Sequence, residues 1–417
     1  MSGNAAEFPH GATPGTCGAF HRTAGASARS SHHAFSDALR LKLVVLSDPV
    51  VLKVATFSTF VTYVTGFVLS ESSVKVWKPM RLNGSQFRTD VLTGQQVIVA
   101  PQRSGRPAAH LPDPPLNQAI DPFVEGQEHE TPAERYAVRT AGSRPDGPGW
   151  RLRIVPNRYP AVVSEESELE MAAIHTESLF PAWPARGEHD VVIECPDRRT
   201  RLVELTNDEI QQTLIAWQTR ILQLTNAAEI RGVAVFRNEG FSAGASLAHC
   251  HSQIVATSEL MPLDVARHDR AARHRMATGR DLVQDMWNAE REQQRLVCET
   301  PHFGVYCPFA SRTSWQMRFT PVQTQVASFA DSSVSMLQGL AVLLKSSLIA
   351  LEQVLGGPFS FNLTLAHPRI DQPAAFSWYL DLLPRTGRTA GWELLTNVEI
   401  VTVPPETAAQ KIREVMR

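Results

Sequence analysis

Apolar and polar positions along this 417-residue chain fall into short blocks, some alternating with period two and others repeating every three to four residues. Residues 1 to about 40 show neither period; they are rich in Ala, Ser, Gly and His and read as disordered. The next run turns apolar, but Lys42, Asp48, Pro49 and Lys53 interrupt it. Only residues 54–69 are free of charge, fewer than the roughly 20 apolar residues a membrane span needs. That run is long enough for a signal core, yet no small-residue cleavage site of convincing form follows it. Residues 1–79 are therefore read as a poorly ordered extension, with the working protein beginning near Met80.

Beyond that point the pattern gives elements. Thr93-Gly94 marks a turn, and the β-branched run 96–100 a buried strand, flanked by Arg88, Arg103 and Arg106. A Pro-rich loop covers 107–122. Residues 150–163 read as strand, turn, strand, and 189–194 as another strand. Thr206 and Glu209 have capping-box spacing, and Ile210, Leu214, Trp217 and Ile221 then recur at helical intervals, which predicts a helix over 207–224. A strand over 232–237 follows. The charged, helical stretch 263–295 reads as a connector. Beyond it come strands over 302–308, 314–320, 359–366 and 376–383, with an apolar-striped helix over 333–355 ended by Gly356-Gly357. Strands, helix and more strands thus occur twice. The reading is an α+β fold of two duplicated units, antiparallel sheets with packed helices, divided as 80–260 and 261–417.

Composition narrows the partners. Lys+Arg 40 against Asp+Glu 42 leaves a net charge of -2, so no global basic field recruits nucleic acid and any anion must be held locally. The five cysteines are scattered, without a CxxC pair, which fits reduced thiols in a cytoplasm.

The chemistry concentrates in residues 238–257, NEGFSAGASLAHCHSQIVAT. If 249–256 is a strand, His249, His251, Gln253 and Val255 share one face, spaced by about 6.5 to 7 Å. Gly240, Gly244, Ser242 and Ser246 make the preceding loop able to bring backbone N–H groups to an anion. A bare HxH also fits an ordinary polar pair or a metal pair; the Gly/Ser loop and Gln253 favour phosphate chemistry. Neutral imidazole carries a free lone pair and attacks phosphorus near neutral pH.

The run Gly244-Ala245-Ser246 through His249-Cys250-His251-Ser252-Gln253 resembles the active-site signature of the galactose-1-phosphate uridylyltransferase family, within the histidine-triad superfamily. Similar segments extend over roughly 88–413, among them RTDVLTGQQVIVAPQRSGRP, DPFVEGQEHETP, VPNRYPAV, HDVVIECPDR and WYLDLLPRTGRTAGWEL. Hydrolase cousins carry a third histidine where this chain has Gln253. Glutamine only hydrogen-bonds the phosphoryl oxygens and shuttles no proton, so transfer is favoured over hydrolysis.

The resemblance implies a transferase of carbohydrate metabolism, galactose metabolism first, that exchanges nucleotidyl groups between nucleoside diphosphate sugars and hexose 1-phosphates. His251 would be the nucleophile and Gln253 would hold the α-phosphoryl oxygens, with His249 supporting the loop. Asn238, Gly244 and Ser246 would contact phosphate, Asn157 the nucleoside, and Arg88 phosphate as well. The partners are then a nucleotide sugar and a sugar phosphate, with no nucleic acid and no membrane; a homodimer is left open.

The chain departs from the family where the family's structural zinc is held: its two cysteines, its histidine after VIxxP and the first histidine of HxH read Asp121, Val124, Arg198 and His249 here. No structural zinc is expected, and an Asp121–Arg198 ion pair is expected in its place. The family's HWHxE reads Ser377-Trp378-Tyr379-Leu380-Asp381, so a second metal site is not expected either. Two other readings stay open: a phosphorylase of ADP-sugars or dinucleoside polyphosphates with phosphate as acceptor, and an inactive nucleotide-binding homologue.

Overall fold

The structure, a computed structural model, describes residues 84–105, 114, 120–164, 179–227, 229–323 and 326–416. The N-terminal extension, the apolar run 54–69, Arg106 and most of the Pro-rich loop lie outside the described residues.

Strands β1 (Gln86–Thr89) and β2 (Gln96–Val99) form a hairpin closed through Gly94, whose φ of 76° few side chains tolerate. Then come β3 (Tyr136–Arg139), β4 (Trp150–Pro156) and β5 (Gly187–Ile193). Helix α1 (Asn207–Thr225) starts at the capping box: the Glu209 N–H donates to the Thr206 hydroxyl and the Thr206 N–H to the Glu209 carboxylate. Strands β6 (Gly232–Glu239) and β7 (His251–Thr257) complete the first half.

The connector is two helices, α2 (Pro262–Thr278) and α3 (Leu282–Arg291). The second half runs β8 (Leu296–Glu299), β9 (Phe303–Tyr306), β10 (Met317–Pro321), α4 (Val334–Leu355), β11 (Phe361–Ala366) and β12 (Tyr379–Pro384). Helix α5 (Gly391–Thr396), strand β13 (Glu399–Val401) and helix α6 (Pro405–Val415) close the chain, β13 lying parallel to β2 in a small three-stranded sheet.

The other ten strands make one antiparallel sheet in the order β3-β4-β5-β7-β6-β11-β12-β10-β9-β8. Read inward from either edge, each half is three successive strands, then its fifth, then its fourth, with a helix joining third to fourth. The duplication is thus a property of the topology. The two halves meet where β6 pairs β11, with Asn238 opposite Asn362.

Helices α1 and α4 pack together on one face of the sheet, over a core that includes Trp217, Ile254, Leu340, Leu344, Leu363 and Leu382. Helix α4 is long and apolar enough to cross a membrane by length and composition, and its apolar stripe is buried in this core. Trp217 fixes the side of β7 that faces the helices, donating its indole N–H to Ser252 Oγ at 2.8 Å. Residues 251, 253 and 255 therefore point to the opposite face. In the second half that face is covered by α3, whose Trp287 ring lies where a side chain on Gly304 would project. In the first half it carries the histidine row.

Three expectations change. His249 lies in a bend before β7, which begins at His251. Residues 150–163 give one strand, because the Asn157 side chain accepts the Tyr159 N–H in a tight turn and Pro160 has no N–H to offer a ladder. Past it, Val163 makes only an isolated bridge to Arg186. Strand β8, inside a stretch rich in charge, was not expected from periodicity at all.

Candidate active site

His251 opens β7 and is 5 % exposed. Its Nδ1–H donates to the His249 carbonyl at 2.7 Å. That bond places the ring proton on Nδ1 and leaves a lone pair on Nε2. Burial, reinforced by the nearby Arg237 and His249 charges, brings the imidazole down to about 4 against the opposing pull of the backbone bond. His251 is therefore neutral at physiological pH, the form that attacks phosphorus. Phe123 sets its ring edge-on to both imidazoles, centroids 5.4 Å from His251 and 6.0 Å from His249.

His249 holds the other end of the brace. Its Nδ1 lies 2.8 Å from Asp121 Oδ2 and its Nε2 2.9 Å from the Cys195 carbonyl, so both nitrogens face acceptors. Burial raises the Asp121 carboxyl, but the hydrogen bond and charge of His249 and the Phe123 N–H outweigh it and hold it below its usual value. The expected Asp121–Arg198 ion pair is not what forms. His249 is buried and in direct contact, whereas Arg198 is exposed and acts on Asp121 only as a more distant charge.

This donor set does not fit zinc. Asp121 and His249 are bonded to each other, Val124 offers no donor atom and Arg198 is a cation. In the second half, Ser377 donates to Asp281, Tyr379 Oη accepts from Arg267 at 3.0 Å, and Asp381 is held bidentately by Arg318 at 2.7 and 2.8 Å. Guanidinium groups thus occupy the carboxylate and phenol that stand at the HWHxE positions.

Gln253 is oriented by a residue that sequence reasoning missed. His189, near the start of β5, lies across from it: its Nδ1 accepts the Ala161 N–H at 3.0 Å, so Nε2 carries the proton and donates to Gln253 Oε1 at 2.9 Å. The amide NH₂ of Gln253 is then left to face the site as a donor. Asn157, just past the end of β4, places its Nδ2 3.1 Å from the same His189 nitrogen; with that nitrogen protonated the contact is donor to donor and the hydrogen bond of His189 runs to Gln253. The only sequence sign of this was a histidine heading an otherwise apolar strand.

Asn238, at the end of β6, accepts from Asn362 Nδ2 at 2.8 Å, and the same amide donates to the Ala243 carbonyl at 2.9 Å, pinning the loop that bears Ser246. Gly244 takes the left-handed conformation, φ 81°, as the cap of a short turn over Phe241–Ala243. Gly244 and Ser246 are both exposed, and the loop carries the chain from Asn238 to His251.

Arg88 is not brought to this loop. It is 4 % exposed and engaged elsewhere, with Glu406 at 3.0 Å, the Phe309 carbonyl at 3.0 Å and the Phe309 ring 4.5 Å beneath it.

The family model for galactose-1-phosphate uridyl transferase, N-terminal domain, matches residues 77–261, the span that holds the histidine row, its brace and the Gly/Ser loop. Over that span the chain is similar to the galactose-1-phosphate uridylyltransferase family. Among its relatives, ADP-glucose phosphorylase of Arabidopsis thaliana is 28 % identical over 340 residues, 79 % of this chain and 93 % of that protein. The probable galactose-1-phosphate uridylyltransferase of Drosophila melanogaster is 24 % identical over 354 residues, 79 % of this chain and 94 % of that one. The crystal structure of the Arabidopsis ADP-glucose phosphorylase with bound ADP-glucose superposes with a TM-score of 0.66 at 27 % identity, covering 80 % of this chain and 99 % of the other. The protein is an enzyme of the nucleotidyltransferase type.

Proposed function

We propose that the protein transfers a nucleotidyl group from a nucleoside diphosphate sugar to a phosphate-bearing acceptor through a covalent intermediate on His251. The observation that carries this reading is the hydrogen bond from His251 Nδ1 to the His249 carbonyl, which leaves Nε2 with its lone pair. In the first step that lone pair forms a bond to the α-phosphorus while the bond to the sugar phosphate breaks, its electrons leaving with the oxygen. In the second an acceptor oxygen attacks the same phosphorus and the pair returns to Nε2. The Gln253 amide donates to the phosphoryl oxygens throughout, its orientation set by His189. The Asp121–His249 pair takes the place of a structural zinc, and no step passes through a metal.

The acceptor divides two readings. Hexose 1-phosphate gives a uridylyltransferase-type exchange; inorganic phosphate gives a phosphorylase. The extent of the match to the Arabidopsis ADP-glucose phosphorylase favours ADP-sugars and phosphate as the second reading. Mixing the protein with UDP-glucose or ADP-glucose, then adding galactose 1-phosphate or phosphate, separates them. Intact mass names the nucleotide retained, and the acceptor that discharges it names the reaction. Absence of any retained nucleotide contradicts the proposal and leaves the inactive nucleotide-binding homologue.

A further inference from the structure

Beside Gln253 a cavity of about 210 Å³ opens at the junction of the two halves, its lining including Phe236, Asn238, Arg312, Thr313, Asn362, Arg385 and Glu399. Phe236 is the cross-strand partner of Gln253, so the cavity begins one strand over from the phosphoryl-holding amide, a spacing of about 4.8 Å. Asn238 links the cavity to the phosphate loop through Asn362, and Arg385 Nε donates to the other end of the same Asn362 amide.

The charges in this cavity differ from those of the fully buried arginines. Arg88, Arg153, Arg220, Arg237 and Arg318 each have a carboxylate in ion-pair contact. Arg312 and Arg385 are half-buried, and among the described residues neither guanidinium has a carboxylate at ion-pair distance. Burial and then the Arg312 charge lower the Arg385 guanidinium, with Glu399 opposing from further off. Thr313 adds a buried hydroxyl, Oγ1, that has no hydrogen-bond partner. Two like charges facing one cavity repel unless an anion joins them, and an unpartnered buried hydroxyl is destabilising unless a ligand meets it.

We infer that this cavity is the acceptor subsite, in which Arg312, Arg385 and Thr313 bind a phosphate dianion beside the nucleotidyl group on His251. The inference rests on the covalent reading given above. The dianion presents its oxygen to the α-phosphorus; the new P–O bond forms as the P–N bond to His251 breaks, and the electron pair of that bond returns to Nε2. Planar guanidiniums suit this anion because each offers two parallel N–H donors to its oxygens. The shared chemistry is a phosphate group, whether of inorganic phosphate or of a sugar 1-phosphate.

The test charges His251 with a nucleoside 5′-phosphorimidazolide, whose leaving group bears no phosphate, and then discharges it with inorganic phosphate or glucose 1-phosphate. In Arg312→Ala and Arg385→Ala, the concentration of either phosphate giving half-maximal discharge of the charged protein should rise roughly tenfold to a hundredfold, whatever the rate of charging. Whichever of the two works at the lower concentration in the unsubstituted protein identifies the source of the phosphate. Unaltered phosphate dependence in both variants overturns the subsite. If the unsubstituted protein does not charge, the covalent reading fails, and calorimetry of inorganic phosphate binding to the uncharged protein decides the subsite by itself: binding that weakens in both variants supports it, and equal binding in all three overturns it.

Discussion

His189 decides which end of the Gln253 amide faces the site. Because its Nδ1 is committed to the Ala161 N–H, only Nε2–H is available to Gln253 Oε1, and the amide donors turn inward. Replacing it, His189→Ala, frees the amide to flip. A neutral hydrogen bond of about 0.5–1.5 kcal/mol corresponds to a roughly two- to tenfold slower transfer, read as the rate of nucleotide retention at saturating donor. An unchanged rate contradicts the orienting role. Asp121 acts one step further back, through His249 and its carbonyl to His251. Asp121→Ala leaves a buried imidazole without its partner and should cost about 3 kcal/mol of stability in a denaturant titration. Arg312→Ala and Arg385→Ala belong to this scale too, since each removes one guanidinium and leaves His251 itself in place. Asp121, His249, His251 and Gln253 were legible because they fall within recognisable short motifs. His189 was not, because its contact with Gln253 depends on the register of β5 against β7, where Val191 stands opposite Gln253.

At the scale of elements, α1 is where sequence and structure agree best. The capping residues, the apolar spacing and the observed bounds coincide within a residue, because a capping box acts locally. Trp217 then connects this helix to the back of β7. Trp217→Ala removes a buried aromatic and should cost about 3–5 kcal/mol, seen as a fall in the thermal midpoint; retention of the midpoint would mean the helix does not anchor the strand. The start of α1 also titrates. The Arg199 hydrogen bonds, opposed by burial and joined by those from Thr206, take the Glu209 carboxyl from 4.5 to about 2. A depressed carboxyl contributes stability that is complete above about pH 4.5 and is lost as the pH falls toward 2. Denaturant midpoints should therefore drop through that window, and drop less steeply in Glu209→Gln. Where elements were misjudged, the cause lies in contacts distant along the chain: β8 is a strand because β9 supplies its ladder, not because its own residues alternate.

For the whole molecule, the duplicated topology was readable only as a repeated order of strand types, and the structure gives it a mirror-like strand order around β6 and β11. The consequence is functional asymmetry. One half leaves its sheet face for the histidine row, while the other closes the corresponding face with α3 and the Arg318–Asp381 pair. The cavity at the central seam draws residues from both halves, so no motif within either half announced it. On the proposed mechanism His251 stores the nucleotide. The most direct test of this is intact-mass measurement after mixing with UDP-glucose and with ADP-glucose, alongside His251→Gly. A gain equal to one nucleoside monophosphate residue, UMP or AMP, is expected in the unsubstituted protein, mapped to His251 by fragmentation and absent from the variant. Retention of the nucleotide by His251→Gly, or no gain in the unsubstituted protein with either donor, would contradict it.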